Sequence, residues 1–183
     1  VDNVTLGQKH YSLYLDQSNP NRGFFGDKHL HTSYSTDSAM IGNTLSPDEA
    51  FRFARGEKVR ASVGESSLLF RPLDFLVVAD HAENLGLAPM IVESNPEQLA
   101  LPWGREVHDL VNAGPLNEAD VMWGTALSDL TDPSDDDDLT RTIWDRIVES
   151  AEQANEPGVF TSLHGFEWTS TPDGNNLHRV VMF

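Results

Sequence analysis

The chain has 183 residues, 39% of them hydrophobic, and 12 basic against 29 acidic residues give a formal net charge of -17. A surface of that sign repels nucleic acid and anionic lipid, but a small anionic substrate stays open to it because bound divalent cations reverse the local sign. No apolar run approaches the roughly 20 residues that cross a bilayer, and zero cysteines exclude disulfides, thiolate nucleophiles and thiolate metal sites.

This length accommodates one domain with a core, or part of a larger one. The first residue is Val1, and no basic region followed by an apolar one precedes a cleavage site. The compartment therefore stays open, with a periplasmic or secreted setting slightly favoured over a cytoplasmic one.

Residues 1–23 read as a polar, turn-rich lead-in ending in Ser18-Asn19-Pro20-Asn21-Arg22-Gly23. The first strand is expected over 23–31. A helix should follow from Ser46, a serine N-cap with Pro47 in the first turn and Glu49 placed to close a capping box. Ala50, Phe51 and Ala54 give it an apolar side, and Gly56 is its stop. Residues 73–81 form a near-continuous apolar run ending in Asp80-His81, the pattern of a parallel strand buried on both faces.

Residues 84–138 are less regular and are expected as a helical insertion over one rim of the molecule, with Asn95-Pro96 a possible helix start. The run Asp135 to Asp138 reads as a solvated loop and helix start, since it lacks the glycine and glutamate spacing of a calcium loop. The best helix spans 139–155, with Leu139, Ile143, Ile147, Ala151 and Ala154 on one stripe. Pro157-Gly158 breaks the chain before a third strand over 159–168; Asp173-Gly174 turns it into a fourth over 178–183. Alternating strands and helices argue for an α/β fold.

Side chains able to bind metal fall at the ends of these strands. His29 and His31, two apart on a strand, project to one side. Asp37 follows in the next loop, Asp80 and His81 close the second strand, Glu167 lies near the end of the third, and His178 opens the fourth. In a parallel α/β sheet or barrel, the carboxyl ends of the strands share one site. Imidazole and carboxylate without thiolate suit Zn, Mn, Fe or Ni better than calcium. His164, three residues before Glu167, should face away from it. His10 and His108 lack a supporting constellation. Trp103, Trp123 and Trp144 read as packing residues, Trp168 as a wall of the pocket. Arg22, Lys28 and Arg179 are weak candidates for phosphate contacts, equally well read as surface charges.

Together these stretches resemble the PHP (polymerase and histidinol phosphatase) superfamily. Gly26-Asp27-Lys28-His29-Leu30-His31-Thr32-Ser33-Tyr34-Ser35 resembles its first motif, Val78-Ala79-Asp80-His81 the second, Gly165-Phe166-Glu167 the third, and Leu177-His178-Arg179-Val180-Val181 the histidine that opens the next strand. Residues 45–57 and 165–170 are similar to an uncharacterised bacterial PHP-like branch. The resemblance implies that residues 24–183 are the N-terminal part of a distorted (β/α)7 barrel, completed by a C-terminal segment on a continuous chain or a separate fragment. It implies two or three divalent ions (Zn, Mn or Fe): His29 and His31 on one, Glu167 bridging it to another that His178 helps hold, Asp37 and His81 serving a third. Some members have histidine where Asp37 stands. Asp80 would orient a ligand or a metal-bound water, and Asp80 and Glu167 would be the catalytic pair.

The function implied is hydrolysis of a small anionic phosphate ester by metal-activated water, with neither nucleic acid nor membrane as partner. The alternatives are a sulfate-ester or amide hydrolase on the same centre, and a non-catalytic, metal-stabilised binding domain.

Overall fold

A computed structural model of the chain describes residues 22–114, 116–129 and 137–183. His10, nearly all of the expected lead-in, and Asp135 and Asp136 of the acidic run lie outside the described residues.

The protein is mixed α/β. Four strands, β1 (Gly26–Leu30), β4 (Phe75–Val78), β5 (Thr161–Ser170) and β6 (Leu177–Met182), form a curled sheet in the order β1-β4-β5-β6. A minor hairpin pairs β2 (Val59–Arg60) with β3 (Ser66–Ser67). The helices are α1 (Thr36–Met40), α2 (Pro47–Ala54), α3 (Leu87–Val92), α4 (Pro96–Ala100), α5 (Pro102–Ala113), α6 (Leu116–Ser128) and α7 (Asp137–Ala154). The described part of the insertion is thus largely helical, with turns at 84–86 and 93–94.

β4 pairs in parallel with β1 on one side and β5 on the other, as its unbroken apolar sequence requires. β6 runs antiparallel to β5. The physical reason is the length of the link. Residues 171–176, turned by a short 3-10 segment at Pro172–Gly174, suffice for a hairpin, whereas a parallel crossover needs a dozen or more residues. The reversal also explains how His178, at the start of its strand, reaches the rim where β1, β4 and β5 end.

The outer face of the sheet is covered by α2 and α7. Phe51 and Ala54 of α2 meet Leu76 and Val78 of β4, Ala151 of α7, and Phe160. Fully burying such large side chains contributes about 2 kcal/mol each. α2 starts as its sequence indicates: the Glu49 amide donates to Ser46 Oγ (3.4 Å), and the Ser46 amide donates to Glu49 Oε2 (3.0 Å). A second core joins Met40, Leu87, Ile91, Val107, Ala119 and Trp123, fixing α1, α3, α5 and α6 to one another. Ile143 and Ile147 of α7 bury against Leu85, just beyond β4.

Candidate metal centre

An irregularity near the end of β1 prepares the site. Between Asp27 and Leu30 the register against β4 slips, so that three steps along β1 match two steps between Leu76 and Val78. Such a bulge re-aims side chains and leaves a backbone group without a ladder partner. Here the His29 amide donates to Asp27 Oδ1 (2.9 Å). The His29 and His31 rings end up 5.1 Å apart, with their Nε2 atoms separated by 3.2 Å.

The following loop is pinned by polar side chains. The Thr32 amide and hydroxyl donate to Asp80 Oδ1 (2.5 Å) and Oδ2 (2.7 Å). Ser35 Oγ donates to Asp37 Oδ1 (2.6 Å) and accepts from the His81 amide (3.0 Å). Thr36 Oγ1 donates to the Asn84 carbonyl (3.1 Å). Asp80 is fully buried, with both oxygens engaged by Thr32, so it braces the segment next to His31.

Glu167 is the hub. β4 and β5 continue in register past the ladder, as the parallel bridge between His81 and Glu167 records. Gly165 lets β6 approach: a Cβ there would stand 2.5 Å from the Val181 carbonyl oxygen. The buried Glu167 Oε2 lies 2.8 Å from His31 Nε2, 3.0 Å from His29 Nε2 and 3.5 Å from His81 Nε2, while Oε1 lies 3.3 Å from His178 Nδ1. Asp37 Oδ2 contacts His31 Nδ1 at 3.1 Å and faces His81 Nε2 at 3.8 Å. Three overlapping groups of potential ligands result: His29, His31 and Glu167; His31, Asp37 and His81; His81, Glu167 and His178.

This donor set fits divalent cations. A neutral His31 that gives its Nδ1 proton to Asp37 turns the Nε2 lone pair toward Glu167, two acceptors facing each other at 2.8 Å. A proton or a metal ion must separate them. The three edges of the His29–His31–Glu167 triangle, 3.2, 3.0 and 2.8 Å, approach the separation of about 3.4 Å between ligands of a tetrahedral ion bound at about 2.0–2.1 Å. Electrostatics agree. Burial pulls the His31 pKa down, but its hydrogen bond to Asp37 and the charges of Asp37, Glu167 and Asp80 together raise it. Burial pushes Asp37 up, yet hydrogen bonds from His31 and Ser35 hold it well below the usual carboxylate range. Asp80 is raised to about 6, chiefly by burial and against the two bonds from Thr32. Among the described residues, no hydrogen bond or ion pair brings a lysine or arginine to this acidic cluster.

All six residues expected as ligands, His29, His31, Asp37, His81, Glu167 and His178, therefore converge. His108 lies elsewhere, on α5, bonded to Ser94 and Asn112. His164 sits on the face of β5 away from Glu167, its ring stacked on Phe183 and edge-on to Trp144. Trp168 and Arg22 lie away from the cluster, Arg22 in keeping with the surface-charge reading. Trp168 alternates to that same far face and is half exposed, so it does not wall the cluster. Arg22 pairs with Asp74, which precedes β4, at the end of the sheet opposite the site.

Sequence reasoning missed three neighbours. Trp123 of α6 sets its ring edge against His81 (centroids 5.6 Å apart) and donates from Nε1 to Asn84 Oδ1 (3.0 Å). It also packs in the second core, as expected. Glu83 and Thr169 contact His81 from the other side. Thr169 lies two residues after Glu167 on one strand, a same-face spacing that was available in the sequence; nothing local marked Trp123.

No curated protein and no solved structure matches the chain. Residues 18–183 match the family described as "Protein of unknown function (DUF3604)". The match spans the sheet, the helical insertion and every residue of the cluster, and the chain belongs to the DUF3604 family.

Proposed function

We propose that this protein is a metal-dependent hydrolase of small phosphate esters, built on part of a distorted PHP-type (β/α)7 barrel. The observation that carries the proposal is Glu167: a buried carboxylate facing four histidines, with acceptors opposed at 2.8 Å and no lysine or arginine contact to compensate them among the described residues. His29, His31 and Glu167 would hold one divalent ion, His81, Glu167 and His178 another, with Asp37 and His81 available to a third. Zinc, manganese and iron suit this set of nitrogen and oxygen donors.

When bound, such ions supply a water acidic enough to attack near neutral pH, and positive charge for the oxygens of an anionic ester. The chain's own residues do the rest. Glu167 would contribute to both cation positions, since it belongs to two of the ligand groups. Asp37 keeps the His31 Nε2 lone pair turned inward. Asp80, through Thr32, holds the loop that carries His31 and Asp37. His29 and His178, with side chains 44% and 41% exposed, mark the open side from which a substrate would enter. The same reading would have the edges of β1 and β6 that are unpaired among the described residues, beside which Met182 and Phe183 stand exposed, closed by further strands of the barrel.

The test combines elemental analysis of the full-length protein with assays on phosphomonoester, phosphodiester, sulfate-ester and amide substrates. Wild type is compared with Glu167→Ala and His31→Ala. Phosphate-ester cleavage that chelation abolishes and one preferred ion restores is the expected result, with Glu167→Ala the more damaging change. Cleavage of sulfate esters alone would retain the metal hydrolase and discard the phosphate assignment. A folded, metal-loaded protein that cleaves none of them would be a binding domain.

A further inference from the structure

His81 is the most enclosed histidine of the cluster, and its two ring nitrogens have different surroundings. Nε2 faces the carboxylates of Glu167 and Asp37. Nδ1 points the other way, 3.2 Å from Glu83 Oε2 and 3.1 Å from Thr169 Oγ1. Glu83 is itself fixed, because its Oε1 accepts the Thr169 amide proton at 2.8 Å. Trp123 closes against the ring, leaving it little freedom to turn over.

We infer that Glu83 is a positioning residue that dictates the tautomer of His81, keeping the proton on Nδ1 and the lone pair of Nε2 turned toward Glu167. A carboxylate has no proton to give, so a neutral His81 bonds to Glu83 only when Nδ1 carries the hydrogen. Thr169 contributes differently. Its hydroxyl can donate or accept and touches the Nδ1 atoms of both His81 and His178, so it tolerates either tautomer. Its backbone amide holds Glu83 in place. Carboxylates that fix the second nitrogen of a ligand histidine raise its basicity as well as orient it, and their loss weakens metal affinity by about 10–100-fold. The role in metal affinity rests on the function proposed above; the tautomer does not.

The experiment uses the full-length protein with nitrogen-15-labelled histidines, stripped of metal by chelation and held well above the ordinary histidine pKa. Long-range proton–nitrogen correlation spectra then report which ring nitrogen of His81 carries the proton. Wild type is expected to show the Nδ1–H form. Glu83→Gln has the same shape but one acceptor in place of two: satisfying the Thr169 amide turns the new amide's donor toward His81, and the ring should shift to the Nε2–H form. Thr169→Val, which removes the hydroxyl and keeps the backbone bond, should leave His81 in the Nδ1–H form. In titrations with zinc or manganese, Glu83→Gln should bind about 10–100-fold more weakly than wild type. An Nε2–H ring in wild type, or an Nδ1–H ring persisting in Glu83→Gln, overturns the inference. So does a tautomer that changes in Thr169→Val alone. If wild type binds neither ion, the metal function fails, and the spectra still decide the role of Glu83.

Discussion

Along the outer face of β5, Ser162, His164 and Phe166 lie against α7, with Trp144 edge-on to both rings and the Ser162 hydroxyl donating to the Ala151 carbonyl. Along the inner face of the same strand, Glu167 and Thr169 meet histidines and a carboxylate from three other segments: β1, residues 81–83 and β6. The outer face gains free energy by removing apolar surface from water, a contribution that tolerates small shifts in position. The inner face buries a carboxylate, which is costly unless each oxygen finds a charged or donating partner. One face therefore accounts for stability and the other for specificity, and each can be broken separately.

Glu167→Gln should have the largest effect. It preserves shape and removes the negative charge toward which four histidines converge. Calorimetric titration with zinc or manganese, alongside elemental analysis, should show affinity lower by roughly 100-fold or more, at or above the upper end for losing an outer partner. Unchanged affinity and stoichiometry would mean that the inner face is not organised around this carboxylate. The converse experiment is Ile147→Ala, a fully buried position on α7. It should cost about 2–5 kcal/mol in urea unfolding through lost burial and the cavity left behind. Metal stoichiometry should hold under conditions where the variant is folded. Loss of metal together with stability would show that the two faces do not act separately.

How much of this was readable beforehand follows the same division. The outer face repeats simple periods: Ile143, Ile147 and Ala151 at helical spacing, and 75–78 as an apolar run, which located α7 and β4 to within a few residues. The capping box at Ser46 was legible because its logic lies within four residues. The six candidate ligands were legible because strand ends in such sheets converge. The direction of β6 was not inferred, although the short link through Asp173 required a hairpin. Trp123 was legible as a packing residue, but its contact with His81 was not, because α6 meets His81 only through packing of the insertion.

A smaller effect should come from Asp80, which is fully buried beside His81 and accepts two hydrogen bonds from Thr32. Its folded-state pKa of about 6 lies above the unfolded value of about 3.9. A carboxyl raised in this way contributes stability below the unfolded pKa and loses it as pH rises through the folded one. The metal-free wild type should therefore weaken relative to Asp80→Asn between about pH 4 and pH 7, by on the order of 3 kcal/mol. The asparagine keeps an acceptor for the Thr32 amide and a donor for its hydroxyl. Asp37 titrates with the opposite sign, its contribution vanishing as pH falls through its depressed pKa, which lies below this window. Denaturant unfolding at stepped pH measures that difference. A flat profile would mean that Asp80 is not forced to ionise in a dry site.

The smallest effect should come from His164→Phe, which asks whether alternation along one strand is enough to separate a ligand histidine from a packing one. His164 lies three residues from Glu167, closer in sequence than any histidine of the cluster, yet its ring contacts Trp144 and Phe183 on the far side. Phenylalanine keeps the aromatic shape these contacts need and removes both nitrogens. Aromatic pairs contribute about 0.5–1.5 kcal/mol beyond burial, and the replacement retains them, so stability should change by less than about 1 kcal/mol. Metal affinity and stoichiometry should match wild type, whereas His31→Phe, which removes an inward nitrogen, should weaken metal binding sharply. Equal losses in the two variants would mean that His164 reaches the centre in solution and that the face assigned to it is wrong. An unchanged His164→Phe beside a damaged His31→Phe would show that strand alternation sorts the histidines into those that hold the centre and those that pack behind it.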